Sequence, residues 1–148
     1  MKIILPLSVI IPRKTKADKV WSLNLNRYRN ENFHVLNAAK ILWKDIVATA
    51  ISKTQEKIAT GSLLSFRYVI YPSSNRKFDI SNVCSIIDKF TCDALIEFGV
   101  ISDDSYKVIP KVIYEFGAVD KENPRCELLI NSIIAEHKPE ISFKDLPF

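Results

Sequence analysis

The chain opens on a block of β-branched and apolar residues, Lys2 to Ile11, that predicts a strand. Pro12 to Asn32 is polar and basic. Its asparagines (Asn24, Asn26, Asn30, Asn32) predict irregular backbone. Trp21, Tyr28 and Phe33 mark points in it that are ordered or that meet a partner. From Val35 to Thr54 the period changes. Leu36, Ala39, Trp43, Ile46, Val47 and Ala50 recur at helical spacing, with Lys40, Lys44 and Lys53 on other faces. Gly61 ends the connection. Ser62 to Tyr71 then carries strong β formers before Pro72 and a Ser73-Ser74-Asn75 turn. A second helix is predicted from Ile80 to Phe98. Val83, Ile87, Phe90, Ala94 and Phe98 keep one face apolar, and Gly99 supplies the stop. Ser105 to Phe116 predicts a strand interrupted by Pro110, hence an edge or a bulge. Gly117 to Pro124 reads as a turn and Arg125 to Ile134 as a last strand. This order predicts an α+β single domain, a mixed β-sheet of about four strands with two main helices packed on it. That domain covers residues 1–134, and residues 135–148, with Pro139 and Pro147, form a C-terminal appendage.

Composition agrees with one core: 148 residues, 47% hydrophobic and only 3 glycines exclude a disordered or fibrous chain. No apolar run reaches the ~20 residues of a membrane span, so no membrane partner is expected. The first residues, MKIILPLSVIIP, have the apolar look of a signal peptide. Their β-branched content, Pro6 and the lack of a small-residue cleavage site favour a strand in a cytoplasmic protein. Cys84, Cys92 and Cys126 have no CxxC spacing and predict reduced packing residues, not a disulfide framework or zinc site. His34 and His137 lack metal-ligand spacing and read as surface or capping residues. The net charge of +4 says little by itself, but its distribution says more. Arg13, Lys14, Lys16, Lys19, Arg27 and Arg29 share one segment opposed only by Asp18, and Arg76 and Lys77 stand just before Asp79. Such clusters suit the neutralisation of phosphates; they also suit a solvated loop.

Candidate chemistry concentrates between Lys77 and Asp104, KFDISNVCSIIDKFTCDALIEFGVISDD. Asp79 stands at a strand-to-helix junction, and Asp103-Asp104 follow the turn after the helix. With about 100° per residue, Asn82, Lys89 and Asp93 fall along one stripe beside the apolar face. Ser81, Ser85, Asp88 and Cys92 lie mostly opposite, so Asp88 is expected outside a Lys89 pocket. Asp103 and Asp104 return to the same region if the next strand pairs beside the one ending at Tyr71. Carboxylates from separate elements, with a lysine nearby, suit a divalent metal acting on a phosphodiester. Magnesium on hard oxygens activates water and stabilises phosphorane charge, while a lysine neutralises the phosphate or the leaving oxygen. The minimal set is Asp79, Asp104 and Lys89. Plain structural roles are open to the same residues: Asp79 as a helix N-cap, Lys89 and Asp93 as a surface ion pair, Asp103-Asp104 as an exposed turn.

At these residues the chain resembles the RusA-like Holliday junction resolvases. Their pattern is Asp-x-Asp-Asn, a lysine one turn before Asp-Ala-Leu, then Gly-Phe or Gly-Val and an Asp-Asp pair. Asp79-Ile80-Ser81-Asn82 looks like the first part, Lys89 with Asp93-Ala94-Leu95 the second, and Gly99-Val100 with Asp103-Asp104 the third. Asn24 to Tyr28 and Arg125 to Leu128 fit the family order more loosely. The likeness spans residues 2 to 134 and is specific between Asp79 and Asp104. Ser81 stands where the family has its second aspartate, and the helix is one turn longer. Counted back from Asp93-Ala94-Leu95 the lysine is Lys89; counted forward from Asn82 the position is Ser85. The missing carboxylate is then left to Asp93, Asp103 or Asp88, or is absent, giving a weak or inactive nuclease. What the resemblance implies is a Mg2+-dependent endonuclease, with Mn2+ as a substitute. Such an enzyme resolves branched DNA as a homodimer, in recombination and repair, in a bacterial or phage-infected cytoplasm. Asp79, Asp104 and Asp103 would bind metal, Lys89 would contact the scissile phosphate, and Asn82 would orient the site. Arg13, Lys14, Lys16, Arg27, Arg29, Arg76 and Lys77 would face DNA, with Phe78, Tyr28 or Trp21 wedging or stacking at the junction centre.

Overall fold

A computed structural model describes residues 1–133; the expected appendage at 135–148, with His137, lies outside the described residues. The chain runs β1 (Lys2–Leu5), β2 (Ser8–Ile11), β3 (Lys19–Ser22), α1 (Leu25–Asn30), α2 (Phe33–Ser52), β4 (Leu63–Tyr71), α3 (Ile80–Glu97), β5 (Lys111–Phe116) and β6 (Arg125–Ile133). The fold is α+β as expected, with a four-stranded mixed sheet in the order β1-β6-β4-β5 and a separate β2-β3 hairpin. Only β4 and β5 are parallel, and α3 is the crossover between them.

Local chemistry accounts for the places where the elements differ from the sequence reading. Lys2 to Ile11 is two strands, because Pro6 has no N–H to donate to a ladder. β1 pairs with β6, and β2 leaves to pair with β3. The segment after Pro12 is not wholly irregular: it holds β3 and the short helix α1. Asn24 and Asn32, read as loop formers, are N-caps. Their side chains accept from the backbone N–H groups of Asn26 and His34, each at 2.8 Å. The strand expected from Ser105 shortens to Lys111–Phe116, with turns over Ser105 to Val108 and Pro110 just ahead of the strand. Gly99 ends α3 with φ +69°, a conformation that side-chain-bearing residues avoid.

One face of the sheet carries α2 and α3; Phe66, Tyr68 and Ile70 of β4 are buried beneath them. The opposite face is lined with ion pairs, Lys2–Glu127 at 2.6 Å, Arg125–Glu127 at 2.9 Å and Arg67–Glu115 at 3.5 Å. Trp43 of α2 is fully buried and its indole N–H donates to Thr91 of α3 at 3.1 Å, pinning the helices to each other. Trp21 of β3 stacks on Phe90 of α3 (centroids 5.9 Å, 7° between planes), and Tyr28 of α1 meets the same ring edge-on at 6.1 Å. The hairpin and α1 are therefore both held against α3 through Phe90. No helix among the described residues is long and apolar enough to cross a membrane.

Candidate nucleic-acid interface and acidic centre

Asp79 is the N-cap of α3: its Oδ1 accepts from the Ser81 backbone N–H at 3.0 Å and from the Ser81 hydroxyl at 2.8 Å. Ser81, standing where the family's second carboxylate falls, is thus a donor to the first. Asp103 and Asp104 follow the other end of the helix. The condition set from sequence is met, since β5 does pair beside β4. That pairing does not bring Asp104 to Asp79. The amides of Val100 and Ile101 donate to the Leu95 carbonyl at 2.9 and 3.4 Å, so the chain has returned only to the level of Leu95 by Ile101. The residues from Ile101 to Asp104 span ~10 Å at most, which reaches back no further than the level of Asp88. Asp79 lies ~13 Å beyond Asp88 along the axis at 1.5 Å per residue. Two aspartate side chains do not close that gap around an ion that needs each oxygen at ~2.1 Å.

The remaining expected ligands are also apart. Asp93 is exposed and lines a small recess with Lys40, Lys44 and Glu97, between α3 and α2. Lys89 is exposed and in no ion pair among the described residues, so a Lys89–Asp93 bridge is not formed. Asn82 is half-buried, its N–H on the Asp79 carbonyl at 3.2 Å. Among the described residues no group of three or more His, Cys, Asp or Glu stands together as a metal site. The expected set of Asp79, Asp93, Asp103 and Asp104 does not fit one magnesium ion.

The carboxylate that the helix directs inward is Asp88, which the helical layout set aside. Tyr68 and Tyr114 are partners across the parallel register of β4 and β5. Both donate their hydroxyls to Asp88, to Oδ1 at 2.7 Å and Oδ2 at 2.8 Å. The Cys92 thiol, one turn on, donates to Oδ1 at 3.3 Å. Burial and the Asp88 charge push the Tyr68 and Tyr114 hydroxyls well above the usual phenol range, so they remain donors at neutral pH. Burial, then Asp88, raises the Cys92 thiol too, and Asp104 adds to it; Cys84 is pushed up to about 12 in the same way. Asp88 is thus the carboxylate that α3 and the β4-β5 pair hold in place. The Asp103 carboxyl is held below its usual range, chiefly by Ser105 beside it.

No protein-family model matches the chain, and no curated protein matches it.

The cations expected at DNA are all exposed: Arg13, Lys14 and Lys16 on the turn between β2 and β3, Arg27 and Arg29 on α1, and Arg76 and Lys77 ahead of α3. None is in an ion pair among the described residues, whereas Lys2, Lys19, Lys44, Arg67 and Arg125 are. They lie on three separate segments: the hairpin and α1, which meet α3 at Phe90, and the residues ahead of its first turn. The sequence layout set Asp88 aside because it drew the buried face through Val83, Ile87, Phe90, Ala94 and Phe98, of which Ile87, Phe90 and Ala94 are buried. Val83 is half-buried and Phe98 43% exposed, whereas Cys84, Ile87, Thr91 and Leu95 are buried. That second run is also helical in spacing and leaves Asp88 at its edge. A buried strand tyrosine in need of an acceptor was the other available signal.

Proposed function

We propose that the chain recognises branched DNA, as the RusA-like proteins do that its Asp79–Asp104 segment resembles. The observation that carries this reading is the set of exposed cations on the β2-β3 turn, on α1 and before α3 that form no ion pair among the described residues. Unpaired surface cations release counterions from DNA, and contacts to phosphates read the course of the strands, not the bases. The test is a band-shift titration at low salt with a four-way junction and a duplex of equal length. Tighter binding of the junction is expected, and equal or no binding of both would reject the reading.

A second reading, metal-assisted cleavage, is favoured by Asp88, a carboxylate that Tyr68 and Tyr114 fix at the sheet. Magnesium commonly takes only one or two protein carboxylates and leaves its other positions to water and phosphate. Asp88 would hold the ion, and the ion would supply an activated water and charge stabilisation at the phosphate. Tyr68 and Tyr114 would keep Asp88 oriented. Junction cleavage in magnesium but not in chelator, lost in Asp88→Asn and kept in Asp79→Asn, is the expected pattern. Intact junctions at protein concentrations that bind them fully would leave binding as the activity.

A further inference from the structure

At the carboxyl ends of the parallel strands β4 and β5, beside the start of α3, lies an open groove of about 440 Å³. Its walls are apolar: Phe78, Ile80, Phe116 and Val119. Its rim is cationic: Arg76 and Lys77. Phe78 is 38% exposed and Phe116 48%, and neither ring pairs with another aromatic ring among the described residues. The two aromatic rings come from different elements, one before α3 and one at the end of β5. A flat apolar body carrying negative charge at its margin is the complement of such a groove.

We infer that this groove receives an unpaired nucleobase of branched DNA, stacked on Phe78 and Phe116 with its flanking phosphates on Arg76 and Lys77. The inference rests on the DNA-binding reading and deepens it. Every base has a π-face, so an aromatic platform takes an unstacked base with little sequence preference. Bases that have lost a neighbour occur at a branch point and not within a continuous duplex, which ties the groove to branched substrates. Asp79 stands at the helix start, its Oδ1 engaged by Ser81. Its charge keeps phosphate off the first turn of α3 and on the Arg76–Lys77 side. An acidic peptide also matches a cationic rim, but it has no need of exposed rings on both walls.

The full-length chain is titrated with a four-way junction carrying 2-aminopurine at a branch-point position, and with a duplex of equal length. Phe78→Ala and Phe116→Ala, both at exposed positions, are expected to weaken junction binding about tenfold while leaving duplex binding unchanged. The 2-aminopurine signal seen with the unmodified chain is lost, and Phe78→Trp restores both. Arg76→Ala with Lys77→Ala weakens junction and duplex together. If the phenylalanine variants keep full junction affinity and signal, or lose duplex binding equally, the base site is overturned while DNA binding stands. If the unmodified chain binds neither DNA at low salt, both readings fall.

Discussion

At the scale of single residues, Asp79 at the start of α3 and Asp88 within it have different structural duties. Asp88 is an acceptor for a fully buried hydroxyl, that of Tyr68. Asp88→Ala leaves that hydroxyl without a partner, a loss of about 1–3 kcal/mol. Asp79 is a cap whose replacement by Ala costs about 0.5–2 kcal/mol, whereas Asp79→Asn keeps an equivalent cap and costs little. Urea unfolding of Asp88→Ala, Asp79→Ala and Asp79→Asn is expected to rank them in that order of destabilisation. An Asp88→Ala protein as stable as the unmodified chain would rule out the tyrosine–aspartate network as a structural element. Gly117 is constrained for another reason. A Cβ there would stand 2.6 Å from the Tyr71 ring, and that ring lies under the Arg125 guanidinium at 4.1 Å. The ring is engaged by that guanidinium, so Gly117→Ala is expected to cost about 1–3 kcal/mol, as overpacking does. Tyr71→Ala in the same chain should relieve part of that loss, which thermal unfolding of the double variant checks.

At the scale of elements, Phe90 is the residue on which the hairpin and α1 converge. Neither piece is self-sufficient: α1 has six residues and β2 and β3 four each, too few to be stable alone. Phe90→Ala is therefore expected to cost about 3–5 kcal/mol. Faster amide exchange should appear first in residues 8–30, and junction affinity should fall although no cation has been removed. Exchange that rises evenly over the whole chain would show that the two pieces are held by something else. Much of this layer was legible in the sequence. Helical periods marked α2 and α3, β-formers marked β4 and β6, and Gly99 marked a stop. What was not legible depends on partners distant in sequence. Nothing local tells that Val20 and Trp21 pair back onto Ile10 and Val9, or that Pro6 hands the chain from one sheet to another. The orientation of the candidate site was illegible for the same reason. The facing of α3 was read from its own apolar residues, but it is set by where Trp43, Trp21 and the β4-β5 pair meet it.

At the scale of the whole molecule, ion pairs hold several carboxylates in place. The sheet face away from the helices has Glu127 between Lys2 and Arg125. Burial raises the Glu127 carboxyl, but the hydrogen bonds from Lys2 and Arg125 outweigh it and hold it below its ordinary value of 4.5. Glu31, hydrogen-bonded by Lys19, and Asp120, by the Asn123 N–H and Arg125, are likewise held low. A carboxylate lowered on folding binds protons more readily in the unfolded chain. Its contribution is complete above the ordinary value and is lost as pH falls through the lower folded value. The urea midpoint is thus expected to be flat from neutrality down to about pH 5 and to decline below it.

On the helix side Lys19 and Lys44 are paired, but Arg13, Lys14, Lys16, Arg27, Arg29, Arg76 and Lys77 form no ion pair among the described residues, and this makes the salt dependence of binding the decisive whole-molecule measurement. Each phosphate neutralised contributes about −0.9 to the slope of log K against log salt on duplex DNA. If the β2-β3 turn, α1 and the segment before α3 all touch phosphate, neutral substitutions in any one of them should flatten the slope. Arg76→Ala with Lys77→Ala removes about two phosphate contacts, and Arg13, Lys14 and Lys16 together remove up to about three. The losses should add, because the segments share no side-chain hydrogen bond or ion pair among the described residues. Replacing Lys2 and Arg67, cations of similar number on the sheet face away from the helices, should leave the slope where it was. A slope changed as much by those two as by Arg76 and Lys77 would mean that the charge acts through its total and not through its placement on these segments.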